Sequence, residues 1–259
     1  MIIQIDKKEM IDSLKNVEIK GKWATTTGIV SKSLGKYIHF QVQDNLLLLA
    51  NADESTAICV ALSLDEETEE GSFVLEINTL YKYLTKMNDT ITLEVGETVV
   101  MKSDGKRATM PMVVEHPFHG NLTRLVDRWP LDFDEDLSQV ISLGVIDVRC
   151  GVQVTGRQLQ DAISACEIVN SGLYKLDYRI ADDISNAKFT ISSEEVVSSF
   201  KEEINMSQDI GESSTVYFSG PLHKAFAWEQ KINIFIGDDQ PIIMLAENTA
   251  LIRAARLGA

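Results

Sequence analysis

The segment Glu115-His116-Pro117-Phe118-His119 holds two of the four histidines in the chain. Two imidazoles and a carboxylate are metal-ligand chemistry, but Pro117 breaks the helix that would set both histidines on one face, and no further Cys or His lies nearby. His39 alternates with apolar residues and reads as a sheet-surface side chain. Asp182-Asp183 and Asp238-Asp239 are adjacent acids at predicted turns, where solvated carboxylates are ordinary. No glycine-rich phosphate loop, Gly-x-Ser-x-Gly or Cys/His nucleophile pattern occurs. The pattern points to no catalytic residue, no metal and no cofactor, and so to a protein that is not an enzyme. Cys59, Cys150 and Cys166 are odd in number, with no Cys-x-x-Cys, which argues against a disulfide framework.

Charge is the other resource. Lys and Arg number 24 against 39 Asp and Glu, a net charge of −15 over 259 residues. Such acidity excludes wrapping nucleic acid with the whole surface, yet leaves room for a local basic face. Apolar residues make up 44% of the chain, enough for a sizeable core, and no run reaches the ~18 apolar residues of a membrane span. The opening Met1-Ile2-Ile3-Gln4-Ile5-Asp6 lacks the basic start and long apolar stretch of a signal peptide. The expected setting is cytoplasmic (nucleoid-associated, or host cytoplasm for a viral chain), with no membrane partner.

The elements that must position these residues are mostly short strands. Apolar, β-favouring runs occur at 37–42, 45–50, 57–62, 72–76, 90–95, 98–102 and 107–114, with a further strand at 23–30. Gly96-Glu97 and Ser103-Asp104-Gly105 read as hairpin turns. Four segments have helical periodicity: Lys7–Val17, Asn78–Asn88 with Asn78 as cap, Thr155–Val169, and Pro221–Lys231. The helix near 78 and the strands near 91, 98 and 107 recur near 221, 232, 241 and 250, an offset of about 143 residues. This predicts two α+β repeats, 1–114 and 147–259, joined by an extended connector over 115–146.

The ordered series resembles the DNA sliding clamps, which include proliferating cell nuclear antigen and the two-domain clamps of bacteriophages. The resemblance covers essentially the whole chain. It rests on Phe73 to Leu84 with Asn88 to Leu93, on Val216-Tyr217-Phe218, on Ile232 to Ile236, and on Asp238-Asp239-Gln240-Pro241-Ile242-Ile243. It implies two similar clamp domains, each with curved antiparallel sheets and two helices, and three subunits closing a ring around duplex DNA. The function implied is a polymerase processivity factor that binds DNA without sequence preference.

The resemblance places the helices around the hole. Lys8 and Lys15, Lys82 and Lys86, Arg157, and Lys224 and Lys231 would then face phosphate, and the four polar helix faces sum to +4. DNA polymerase and clamp loader would dock short hydrophobic peptides on Ala57, Leu131, Phe133, Pro241, Ala254, Ala255 and Leu257. The strand Arg107–Val114 would meet Glu195–Ile204 of a neighbour, placing Arg107, Thr109, Met110, Met112, Val197, Phe200 and Glu202 at a homotrimer interface. Two other readings stand beside this one: a clamp-like scaffold, monomeric or heteromeric, that closes no homomeric ring, and an unrelated duplicated β-rich enzyme.

Overall fold

The computed structural model describes residues 1–19, 36–127, 133–141, 146–169, 171–180, 187–219 and 225–257. The expected strand at 23–30 lies outside them. The chain divides into two compact units, 1–129 and 130–259.

The first unit opens with β1 (Ile2–Asp6) running straight into α1 (Lys7–Val17). Asp6 ends the strand and caps the helix, its carboxylate accepting the backbone N–H of Lys8 and Glu9. Strands β2 (Tyr37–Gln43), β3 (Leu46–Ala52), β4 (Thr56–Ser63) and β5 (Gly71–Glu76) follow, then α2 (Ile77–Leu84), then β6 (Thr90–Val95), β7 (Thr98–Ser103) and β8 (Lys106–Pro111). They form two antiparallel sheets, in the orders β1-β6-β7-β8 and β4-β3-β2-β5. Asp44 and Asn45 adopt positive φ in the two-residue turn between β2 and β3, as Asp104 and Gly105 do between β7 and β8.

Met10, Leu14 and Val17 of α1 and Ile77, Leu80 and Leu84 of α2 are buried, with α1 on β3 and β4 and α2 on β5 and β8. Asn78 is not the cap of α2. The cap position falls on Glu76, whose carboxylate takes the Thr79 hydroxyl at 2.6 Å, and Asn78 is an exposed residue inside the helix.

The expected connector is not extended throughout. Residues His119–Val126 form α3, which packs on β3 and β4 through buried Leu122, Leu125 and Val126. Residues 47–52 of β3 are all buried, so both faces of that strand are covered.

The second unit repeats the plan. β9 (Cys150–Thr155) runs into α4 (Gly156–Cys166), followed by β10 (Leu173–Arg179), β11 (Lys188–Glu194), β12 (Ser199–Ile204), β13 (Gln208–Gly211), β14 (Ser214–Ser219), β15 (Lys231–Ile236), β16 (Ile242–Ala246) and β17 (Thr249–Arg253). Its sheets run β12-β11-β10-β14 and β13-β9-β15-β16-β17. β9-β15-β16-β17 thus answers β1-β6-β7-β8, and β12-β11-β10-β14 answers β4-β3-β2-β5. A capping box starts α4: Thr155 accepts the Gln158 N–H, and the Gln158 side chain accepts the Thr155 N–H. The last predicted helix is not formed where it is described. Residues 226–230 are turns and Lys231 opens β15.

Candidate nucleic-acid face and subunit edges

The expected phosphate-facing cations of the first unit sit on or beside two touching helices. Lys8 and Lys15 are exposed on α1, Lys82 lies in the last turn of α2, and Lys86 lies in the turn just beyond it. Lys15 is paired with Asp12 at 2.8 Å, and Lys7 donates to the Met87 carbonyl at 2.7 Å. Lys8, Lys82 and Lys86 form no ion pair with a described residue. The Tyr81 hydroxyl is buried with no hydrogen-bond partner among the described residues; burial first, then Glu18 and Asp12, pushes its pKa up to about 12.

The second unit is different. Arg157 is exposed at the start of α4 but is committed twice, to Asp161 at 3.7 Å and to the ring of Trp228 at 5.6 Å. Trp228 is about half exposed, and its indole N–H donates to Gln160. Lys231 stands on a strand rather than a helix, 3.9 Å from Glu135. Lys224 lies outside the described residues. In the first unit Lys8, Lys82 and Lys86 are thus exposed and unpaired among the described residues, with Glu9 and Asp12 also exposed on α1, whereas Arg157 and Lys231 of the second unit face carboxylates.

Of the expected interface residues, Arg107 and Thr109 are exposed on β8, while Met110 is buried beneath them. Met112 follows the strand end, and Val113 turns away to bridge Val74. β8 is one edge of its sheet and β12 one edge of its own; β1, β5, β13 and β14 are the other edge strands among the described residues. Phe200 and Glu202 are half-buried on β12, and Val197 is exposed in the two-residue turn before it. Val114, just past β8, and Val196 are fully exposed. Val114 past β8, and Val196 and Val197 before β12, thus pack on nothing among the described residues.

The expected partner-peptide residues are distributed as follows. Ala57 is on β4, in the first unit. Phe133, Pro241, Ala254, Ala255 and Leu257 belong to the second unit, where Leu257 is well exposed, and Leu131 lies outside the described residues. Residues 133–138 form a strap fixed by the Asp134 carbonyl accepting Asn233 and the Glu135 carbonyl accepting Gln153 at 2.8 Å. The Ser138 hydroxyl, then the N–H groups of Ser138 and Asp136, hold the Asp134 carboxyl below its usual range. The Arg256 N–H to the Tyr217 carbonyl, 2.7 Å, ties the segment after β17 to β14.

His39 and His116 are buried. His116 is buried, with Nε2 3.0 Å from the Tyr37 carbonyl and 3.3 Å from Asn51 Oδ1, and Nδ1 accepting the Phe118 N–H at 3.1 Å. Both ring nitrogens are engaged, and burial pushes its pKa down to about 4. Asn51 also donates to the Val17 carbonyl, so one buried amide joins the end of α1 to the segment leading into α3. His39 is buried, not a surface residue, and lies 6.0 Å from the His119 ring. Among the described residues, no three His, Cys, Asp or Glu side chains converge as a metal site would require. No helix of the described residues is long and apolar enough to cross a membrane.

Sequence reasoning missed α3 and the His116–Asn51 pin. The spacing of Leu122, Leu125 and Val126 carried the helical signal, beside a proline and an acidic cluster that suggested a linker.

Two units of one topology, each a pair of antiparallel sheets entered through a strand–helix segment, make up the fold of the DNA sliding clamps. Among solved structures, the chain is similar to the DNA polymerase III beta chain of Streptococcus pneumoniae (TM-score 0.70, 13% identity, 99% of this chain and 64% of that one). It is similar to the DNA polymerase sliding clamp of Bacillus subtilis (0.71, 16%, 100% and 65%). It is also similar to A. fulgidus PCNA, solved bound to the C-terminal region of FEN-1 (0.70, 10%, 100% and 99%). The chain thus spans less than two thirds of these bacterial chains and nearly the full length of the PCNA. No family model matches the sequence, and no curated protein matches it significantly.

Proposed function

We propose that the protein is a DNA sliding clamp: a processivity factor whose chains close head to tail around duplex DNA and tether a polymerase. The observation that carries this reading is the pairing of the clamp fold with unlike open sheet edges, among them β8 in the first unit and β12 in the second. One edge alone would give a self-complementary dimer. Two unlike edges give a heterologous contact, which closes into a ring when its rotation divides the circle. A two-unit chain, matching PCNA over 99% of that chain, supports a trimer.

The ring acts by topology. It need not grip DNA, only prevent lateral escape, so that a bound polymerase keeps a high effective concentration at the primer end. Lys8, Lys82 and Lys86 supply a sequence-independent attraction for phosphate, with Lys15 and Arg157, each paired with an aspartate, secondary. Partner peptides dock on the second unit near Phe133, Pro241 and the Ala254–Leu257 segment. The sparse cations of the second unit favour one alternative, a clamp-like scaffold that closes no homomeric ring.

Molar mass by light scattering, with loader-dependent retention on nicked circular DNA, tests the proposal. The expected result is a trimer that stays on circles and is released when they are cut once. Equal retention on circular and linear DNA would refute encirclement, and a monomer at micromolar concentration would refute the closed homotrimer.

A further inference from the structure

Of the open sheet edges, β8 and β12 carry enough detail to fix how they would meet. We propose that β8 of one subunit and β12 of the next pair antiparallel in the register Arg107↔Glu203, Ala108↔Glu202, Thr109↔Lys201, Met110↔Phe200 and Pro111↔Ser199. The proposal rests on the ring reading above.

The first argument is hydrogen-bond direction. In an antiparallel pair, successive residues point their N–H and C=O alternately toward one neighbour and the other. Ser103 and Lys106 flank the two-residue turn between β7 and β8 and form the hydrogen-bonded pair that closes it. Lys106, Ala108 and Met110 therefore bond β7, and Arg107, Thr109 and Pro111 point their backbone groups outward. On the other edge the Glu195 N–H donates to the Ser198 carbonyl at 2.7 Å across the Val196-Val197 turn. Ser198, Phe200, Glu202 and Ile204 therefore bond β11, and Ser199, Lys201 and Glu203 point outward. Three outward residues meet three, and this register overlaps them completely. Pro111, which has no N–H, occupies an outward position and costs β7 nothing.

The second argument is the faces of the sheets. Arg107, Thr109 and Pro111 are exposed, as are Ser199, Lys201 and Glu203. Ala108 and Met110 point to the more buried face, toward α2, while Phe200, Glu202 and Ile204 point to the more buried face, toward α4. The register sets exposed against exposed and covered against covered.

The third argument is chemistry. Arg107 lies opposite Lys102 within its own sheet, Lys102 is taken by Glu94, and Arg107 has no carboxylate partner among the described residues. Glu203 is held only by Lys188, at 3.0 Å, and can receive the guanidinium. Phe200 falls opposite Met110, beside a 220 Å³ cavity lined by Tyr37, Thr79, Met110 and Met112. Val114 and the Val196-Val197 turn arrive at the same end of the ladder. A shift of two residues one way sets Arg107 against Lys201; the other way sets Met110 against Glu202. A parallel pairing would bring the cationic start of β8 to the valine turn.

Disulfide trapping in the full chain tests the register. Opposed hydrogen-bonded residues have Cα atoms about 5.5 Å apart, within disulfide range, whereas diagonal neighbours are about 7–8 Å apart. The native cysteines are all buried, so wild type serves as the uncrosslinked control. Under mild oxidation, Thr109→Cys with Lys201→Cys should form covalent dimers and trimers at least tenfold faster than Thr109→Cys with Ser199→Cys or with Glu203→Cys. Faster trapping of either shifted pair in a trimeric protein would overturn the register while leaving the ring intact. A monomer by light scattering would overturn both. Independently, Arg107→Glu should weaken assembly at least tenfold and Glu203→Arg added to it should restore assembly; no restoration would count against the pairing.

Discussion

Replacing Lys8, Lys82 and Lys86 together by Ala removes the three exposed cations on and beside α1 and α2 that have no ion-pair partner among the described residues. Each cation that neutralises a phosphate adds roughly 0.9 to the slope of log affinity against log salt, so the triple variant should lose up to about 2.7 from that slope. Between 50 and 200 mM salt, a fourfold change, this corresponds to an affinity loss about 40-fold smaller than that of wild type. Binding to a short linear duplex, followed by fluorescence anisotropy, isolates this electrostatic contact from topological retention. Exposed side chains of this kind are truncated within about 0.5 kcal/mol of stability, so the fold and molar mass should not change. Two controls come from the second unit: Arg157→Ala and Lys231→Ala remove cations already paired with Asp161 and Glu135. A slope change of the same size from either control would refute the argument that only unpaired helix cations of the first unit reach phosphate.

Two further outcomes concern the scaffold. His116 has its pKa lowered to about 4 by burial, against an ordinary value of 6.5, so the unfolded chain takes up its proton first. Stability from this residue is complete above pH 6.5 and is lost as pH falls toward 4; urea melts should show that decline, and His116→Gln should flatten it. Gly156→Ala should destabilise the second unit by about 1–3 kcal/mol in calorimetry despite alanine's better helix propensity. The reason is that the added Cβ would lie 2.0 Å from the Ala227 carbonyl oxygen.

Periodicity made much of the architecture readable. Lys7–Val17 is helical over the residues expected, because Met10, Leu14 and Val17 mark a face that only a helix aligns. The recurrence at about 143 residues reappears as two units with matching strand orders. What failed had physical causes. Lys231 was assigned to a helix because an amphipathic pattern cannot tell a short helix from turns leading into a buried strand. His39 read as exposed because alternation in a sequence cannot reveal that the distant His119 ring comes to lie 6.0 Å from it. That Lys8, Lys15 and Lys82 stand on helices was legible, but their pairing was not. Which cation is spent on Asp12, Asp161 or Glu135 depends on side-chain geometry that spacing does not encode.

The free edges also bear on how the chain survives before it assembles. An unpaired strand is a template for any extended peptide, and a chain with two such strands can propagate into a filament as readily as it closes. β8 carries Lys106, Arg107 and Pro111, and β12 carries Lys201, Glu202 and Glu203, so both templates are studded with charges or interrupted by an imino acid. Such residues repel indiscriminate strands and admit one whose charges answer them. On the proposed ring reading, the composition of these two six-residue strands acts as a solubility safeguard for the newly made chain until the neighbouring subunit arrives.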